Sequence, residues 1–233
     1  MPNTAFRVTQ SLTEKVYRDL RASLLACRIA PGERLKIADL CEQWDVSLGA
    51  VREALSRLSS EGLVITEPQR GYRAAPISRE ELQDLTQVRI EIESLCLRRA
   101  LDVGDLSWES AAVAAFHTLA HTPKHGGDHP LMLSDAWSEK HAQFHESLVA
   151  ACDSPTLTQI RRQLYAQSER YRRLSIPLAE TDRDLVAEHR AMLDAALARD
   201  AGLAVALMAG HIRQTTQILL SAIAPNSLHT EDA

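Results

Sequence analysis

The sequence has no long apolar run. No stretch approaches the roughly 18 residues that would cross a bilayer, although 45% of the 233 residues are apolar. A membrane span is excluded and no membrane partner is expected. The opening Met1-Pro2-Asn3-Thr4-Ala5-Phe6-Arg7 lacks the apolar core of a signal peptide. Cysteine is sparse: Cys27, Cys41, Cys96 and Cys152 stand far apart. Without a close pair they suit neither a disulfide framework nor a zinc finger, and they read as buried small hydrophobes of a cytoplasmic protein. Aromatics make up only 4% of the chain. Beyond residue 77, where Ala, Leu and charged residues dominate, there is no strand pattern.

A strong basic excess is also missing. The net charge is −5, but it is divided. Residues 1–76 carry +2 and residues 77–233 carry −7. The basic part is the one expected to meet nucleic acid. Its excess is small, so binding should rest on dimerisation and a few placed arginines. The length suits two modest domains.

Two short amphipathic helices are written over Leu35–Val46 and Ser47–Leu58, separated by a tight turn at Trp44-Asp45-Val46. Ser47 can cap the second helix, because its hydroxyl can accept from a free amide of the first turn. Leu55 and Leu58 face a core, whereas Arg52 and Arg57 lie off that face. This is a helix-turn-helix, whose second helix enters the major groove. Glu61-Gly62-Leu63-Val64-Ile65-Thr66 then ends the helix at glycine and begins an apolar strand. Pro68-Gln69-Arg70-Gly71-Tyr72-Arg73 is a basic turn, and Ala74-Ala75-Pro76 closes a hairpin. Helix, turn, helix and basic hairpin make a winged helix, with Arg70 and Arg73 placed to meet phosphate or a minor groove.

Pro31-Gly32-Glu33-Arg34-Leu35, Val51-Arg52-Glu53-Ala54-Leu55, Glu61-Gly62-Leu63-Val64 and Arg70-Gly71 together resemble the GntR family of bacterial transcription regulators. The resemblance implies a DNA-contacting role for Arg52. Candidate DNA-binding residues are Lys36, Ser47, Leu48, Gly49, Arg52, Arg70, Gly71 and Arg73. One departure stands out: the family's arginine after the capping residue, and the Thr-Pro-type pair that follows, are here Leu48, Gly49 and Ala50. Leu48 and Ala50 can touch thymine methyls, but they cannot make a bidentate guanine contact.

The remainder reads as an antiparallel helical bundle. Ser78 is an N-cap, followed by Leu82, Leu85, Val88, Ile92, Leu95 and Cys96 at helical spacing. Further helices are predicted over 106–121, 131–152, 155–175, 180–199 and 201–223. The expected organisation is a flexible segment 1–10, a winged helix 11–76, a helical bundle 77–225 and a flexible tail 226–233. The fold class is mainly α. The surroundings of Arg89 and Glu93, the stretch Phe144–Ala151, Glu188–Ala195 and Met208–Ile212 resemble the all-helical FCD ligand-binding domain of the FadR-type branch. That branch implies a divalent metal held by an Asp, a His four residues later, and two more His. Here the Asp position is His141.

The residues themselves point to the same place. His141 and His145 are spaced i, i+4 on a face with Trp137, Phe144 and Leu148, so they can share one ion. His189 lies with Leu185, Val186, Leu193 and Ala196. His211 lies with Leu207, Met208, Thr215 and Ile218. Each histidine alone would read as a core residue satisfied by carbonyls or water. Together they predict one divalent ion, and four imidazoles favour Zn, Ni or Cu over Mn or Mg, with Zn or Ni expected. His117, His121, His125 and His129 also step by four, but Pro123, Gly126, Gly127 and Pro130 break any helix that would align them. They read as a solvated helix end and loop.

Arg89 has two readings: a structural ion pair with Glu93, or a clamp on the carboxylate of a small organic acid, which the resemblance favours. Tyr165 and Arg170-Tyr171-Arg172-Arg173 read as a solvated face with at most one arginine reaching a cavity. The expected function is a cytoplasmic homodimeric regulator, a repressor by resemblance, that binds double-stranded operator DNA and is controlled by a small carboxylate near the metal. The alternatives are a metalloenzyme built on the four histidines, or a DNA-binding protein with a purely structural metal. Glu146 and Glu188 adjoin ligands in sequence and so are expected to point away from the ion, which counts against the enzyme.

Overall fold

The computed structural model describes residues 12–126, 133–175 and 183–222. The expected flexible ends, 1–10 and 226–233, lie outside the described residues. The chain divides into two compact units, Met1–Pro76 and Ile77–Ala233.

The first unit opens with a helix that the sequence reading did not single out, α1 (Leu12–Leu25). Val16, Leu20 and Leu24 recur at helical spacing and are buried. A two-residue strand β1 (Arg34–Leu35) precedes α2 (Ile37–Trp44) and α3 (Leu48–Ser60). The turn between α2 and α3 is made by Asp45, left-handed at φ 49°, whose backbone lets Val46 donate back to the Cys41 carbonyl. Ser47 Oγ accepts from the Ala50 N–H at 3.3 Å, so the predicted cap is present. Val51, Ala54, Leu55 and Leu58 are buried along α3.

Strands β2 (Val64–Glu67) and β3 (Gly71–Ala74) form the hairpin, with Val64 opposite Ala74 and Glu67 opposite Gly71. The order β1-β3-β2 adds a third strand that the sequence reading did not anticipate. Two residues carry too little pattern to be seen as a strand. Gly71 sits at φ 92°, where a side chain is strained even though a Cβ would meet nothing within 4 Å.

The second unit holds α4 (Arg79–Val103), α5 (Leu106–Ala120), α6 (Asp135–Val149), α7 (Pro155–Ser175), α8 (Leu185–Leu197) and α9 (Ala201–Ala222). Ser78 Oγ accepts from Glu81 N–H, so the predicted cap is present, and the chain is non-helical at Asp153-Ser154. Helix α6 starts at Asp135, capped by Ser134, rather than at 131; residues 131 and 132 lie outside the described residues. Helix α8 starts at Leu185, capped by Asp184; residues 180–182 also lie outside. The main core packs Cys96, Leu97, Phe116, Phe144, Leu148, Met192, Leu193 and Met208. Of the cysteines only Cys96 is fully buried, and burial with Cys152 alongside pushes its thiol up to about 12; the other three are half-buried.

The decoy histidines are not brought together into a site. His117 and His121 meet at a tilt of 38° on the exposed end of α5, His125 sits in an isolated bridge with Leu133, and His129 lies outside the described residues.

Candidate functional site

In the first unit the candidate DNA-binding residues are exposed, with one exception. Lys36 caps the start of α2 and is exposed. Ser47, Leu48, Gly49 and Arg52 are exposed on the first turns of α3, and Arg70 and Gly71 are exposed at the hairpin tip. Arg73 differs. It is half-buried, donating from Nε to Glu67 at 3.0 Å and from Nη1 to the Gly32 carbonyl at 3.0 Å. Those bonds tie β3 to the end of β2 and to the loop before β1. Arg57 is likewise engaged, with Glu14 at 2.8 Å and over the Tyr17 ring at 3.7 Å. Arg21 and Tyr17 both bond Glu61, which fastens α1 to the end of α3 and sets the angle at which α3 is presented.

In the second unit α6, α8 and α9 each aim histidine into one buried point. His141, His145, His189 and His211 are 2%, 0%, 1% and 7% exposed. One ligand nitrogen from each lies within 4.8 Å of all the others. His141 Nε2 and His145 Nε2 face each other at 3.1 Å. Val186, expected on the inward face, is 52% exposed. It sits three residues before His189, at the edge of the stripe, where the helical twist carries it out.

Burial is the first cause that lowers the proton affinity of all four rings; repulsion from neighbouring rings adds to it at His141, His145 and His189, whereas the bond to Glu188 opposes it at His211. They are therefore neutral, the form that binds metal. His145 Nδ1 and His189 Nε2 are buried with no hydrogen-bond partner. Buried imidazole nitrogens are normally paired. A divalent ion among these four rings would supply the partner that His189 Nε2 lacks and would bind the inward-facing Nε2 of His145, so the donor set fits a metal.

The outer shell is ordered. His141 Nδ1 pairs with Tyr165 Oη at 3.0 Å. His211 Nδ1 pairs with Glu188 Oε2 at 2.8 Å. Each contact engages Nδ1 and directs Nε2 inward. Glu188 is a correction to the expectation that it points away. It is one residue from His189 and about 100° round the helix, but that direction faces α9. Arg183 clamps the same carboxylate, with Nη2 at 2.6 Å. Burial raises Glu188, yet the bonds from His211 and Arg183 outweigh it and hold the carboxyl at about 2. Such a carboxylate is a poor general base. Glu146 does point elsewhere, to Arg161 and Arg162.

Beside His141 and His211 lies a narrow cavity of about 20 Å³, room for about one water molecule, bounded by Arg89, His141, Tyr165, Glu169, Arg172 and His211 among others. Arg89 Nε makes an i,i+4 ion pair with Glu93 at 3.6 Å, too long for a hydrogen bond, and has no hydrogen-bond partner. The other oxygen of Glu93 takes Arg161 at 2.7 Å. Val88, expected beside Arg89 on the inner face, is 38% exposed. The stretch Arg170–Arg173 is not a solvated face. Arg170, Tyr171 and Arg172 are 4%, 5% and 7% exposed. The polar run concealed them, because charged residues are rarely buried unless paired, and the pairing here is with Glu169 in the same helix and Asp135 on α6.

A winged helix followed in the chain by a helical unit with four clustered, buried histidines is the architecture of a class of transcription regulators. Residues 12–73 match the family described as "Bacterial regulatory proteins, gntR family", and residues 84–214 match the FCD domain. The chain is 38% identical to the uncharacterized HTH-type transcriptional regulator BphR of Paraburkholderia xenovorans, over 90% of this chain and 86% of that protein. It is 32% identical to the HTH-type transcriptional repressor GlaR of Escherichia coli, over 90% and 96%. The fold is shared with E. coli McbR/YncC, at TM-score 0.74 and 22% identity over 91% and 99% of the two chains. This protein belongs to the GntR family of transcriptional regulators and carries an FCD domain. Its relatives are DNA-binding regulators rather than enzymes, which sets aside the metalloenzyme alternative. Among the described residues no helix is long and apolar enough to cross a membrane.

Proposed function

We propose that this regulator is a cytoplasmic homodimeric repressor whose grip on a pseudo-palindromic operator is controlled by a small carboxylate bound beside a divalent metal. The observation that carries the reading is the cluster of four buried imidazoles, with one ligand nitrogen of each within 4.8 Å of the others and Arg89 on the adjoining cavity. The rings would hold the metal, and Arg89 would pair with the acid. His141, His145, His189 and His211 would hold the ion. Four neutral imidazoles leave its full charge to attract an acid, and Zn or Ni suits them best.

At the DNA, Leu48, Gly49 and Arg52 would face the major groove from α3, Arg70 the backbone from the hairpin tip, and Lys36 and Ser47 the flanking phosphates. Gly71 would let the tip turn. Arg73 supports the wing rather than reading DNA. Repression is supported by the repressor name of GlaR. An acid regulates only if it binds the DNA-competent and DNA-free forms unequally.

The test joins two measurements on untagged protein. Elemental analysis should return one divalent ion per chain, and stripping it should lower the Tm, because an ion bound only by the folded state stabilises it. A gel-shift titration on DNA upstream of the protein's own gene should then show a retarded complex that organic acids dissolve from metal-loaded protein. A metal-loaded complex indifferent to every acid would favour a purely structural metal.

A further inference from the structure

Cys96 and Cys152 stand more than fifty residues apart in the sequence, and the fold brings them together. Cys96 lies on α4 and is fully buried. Cys152 lies half-buried in the turn between α6 and α7 and packs against the core that holds Cys96. Two ion pairs flank the thiols. Glu93, three residues before Cys96, accepts from Arg161 Nε of α7 at 2.7 Å. Arg99, three residues after it, donates to Asp153 at 2.9 Å. Residues three apart are neighbours on a helix surface, so Cys96 lies between Glu93 and Arg99 on the face that meets the turn. Cys152 adjoins Asp153 there, and the two cysteine side chains are hydrogen-bond partners.

The two sulfurs differ in what can reach them. Burial and the neighbouring Cys152 push the Cys96 thiol up to about 12, so it carries almost no thiolate at neutral pH and resists direct attack on an oxidant. Cys152 is partly open to solvent and lies outside both helices. The turn can therefore shift by the small distance that separates a thiol contact from an S–S bond of about 2.05 Å. Neither thiol belongs to the histidine cluster, and Cys27 and Cys41 lie in the first unit.

We infer that Cys96 and Cys152 form a dithiol that hydrogen peroxide closes reversibly to a disulfide, tying α4 to the α6–α7 turn. The sulfur of Cys152 attacks one oxygen of the peroxide. The O–O bond breaks, and the departing hydroxide leaves as water with the Cys152 thiol proton. The sulfur of Cys96 then attacks the sulfenic sulfur of Cys152. The S–S bond forms, the S–OH bond breaks, and the second hydroxide leaves as water with the Cys96 proton. The two thiols lose two electrons, and one peroxide becomes two waters. Exchange with a small dithiol restores both thiols.

Peptide mapping of the full, untagged chain tests it. The protein is treated with a few equivalents of hydrogen peroxide, alkylated with iodoacetamide under denaturing conditions and digested without reductant. A linked peptide joining Cys96 to Cys152 should appear, and dithiothreitol should abolish it. Cys27 and Cys41 should be recovered alkylated. The Tm of the oxidised protein should rise by several degrees, because the crosslink restricts the unfolded chain. Cys96→Ser should leave Cys152 as a sulfenic acid that dimedone traps, and Cys152→Ser should leave Cys96 a thiol. Cys152 carried on to sulfinic acid while Cys96 stays a thiol would overturn the inference. So would a bridge between the Cys152 residues of two chains, or a Tm that does not rise on oxidation. The map of the unsubstituted protein decides the matter even if Cys96→Ser does not fold.

Discussion

Glu188 Oε2 lies 2.8 Å from His211 Nδ1, so a carboxylate on α8 orients an imidazole on α9. The bond leaves the Nε2 lone pair of His211 facing His141, His145 and His189. Glu188 is itself held by Arg183. An outer-shell partner of this kind sets both the tautomer and the basicity of a ligand.

Glu188→Gln should therefore weaken divalent ion binding by about 10–100-fold. The amide can still approach His211, but it carries no charge to strengthen the ligand. Competition with a chromophoric chelator measures the change. An unaltered affinity would show that the pair serves packing alone.

Acid should loosen the metal-free bundle. Burial holds the four histidines neutral in the folded state, below their ordinary range, so the unfolded chain binds more protons near pH 6. Their contribution is present in full above about pH 6.5 and is lost as pH falls from there toward the lowered folded values. Melting curves in chelator from pH 8 to 5 should show Tm falling with acid. A Tm that stays level across that window would contradict neutral burial of the rings.

Arg52→Ala should weaken operator binding by about 1–3 kcal/mol if the side chain meets a base edge, or flatten the salt slope by about one unit if it meets phosphate. The residue is exposed and Val51 beside it carries the packing, so stability should hold. Leu48→Arg should alter sequence preference more than affinity, because Leu48 is 49% exposed at the start of α3 and lacks donors. In vitro selection of binding sites compares the two consensus sequences, and identical ones would rule out a reading role for this position.

Arg89→Lys should keep operator binding and blunt its response to acids. Lysine keeps the charge but cannot offer two parallel N–H groups to a carboxylate. Glu93 remains satisfied by Arg161, at 2.7 Å, so the helix should not unravel. Loss of the fold, read by circular dichroism, would instead establish the structural ion pair.

Local patterns carried much of this protein. The alternation of apolar and polar residues on α3, the Ser47 cap and the Gly62 stop specify the helix-turn-helix within one short window, because each is a contact between near neighbours in the chain. The inward aim of the four histidines was legible for the same reason, since each shares a helical stripe with buried leucine, phenylalanine or methionine. Strand β1 is illegible because it is two residues long, whereas helix α1 is legible in the spacing of Val16, Leu20 and Leu24 and was missed all the same.

The roles of charged side chains were decided only by the tertiary fold. Arg73 turned inward because Glu67 and the Gly32 carbonyl meet it across the sheet. Glu188 reaches a histidine more than twenty residues away, and Arg172 is buried because Glu169, Ser138 and Trp137 surround it. Helical periodicity tells which way a side chain leaves its own helix. It cannot tell which group on another helix will be there to accept its proton, and for an ionised residue that partner decides between solvent, support and site.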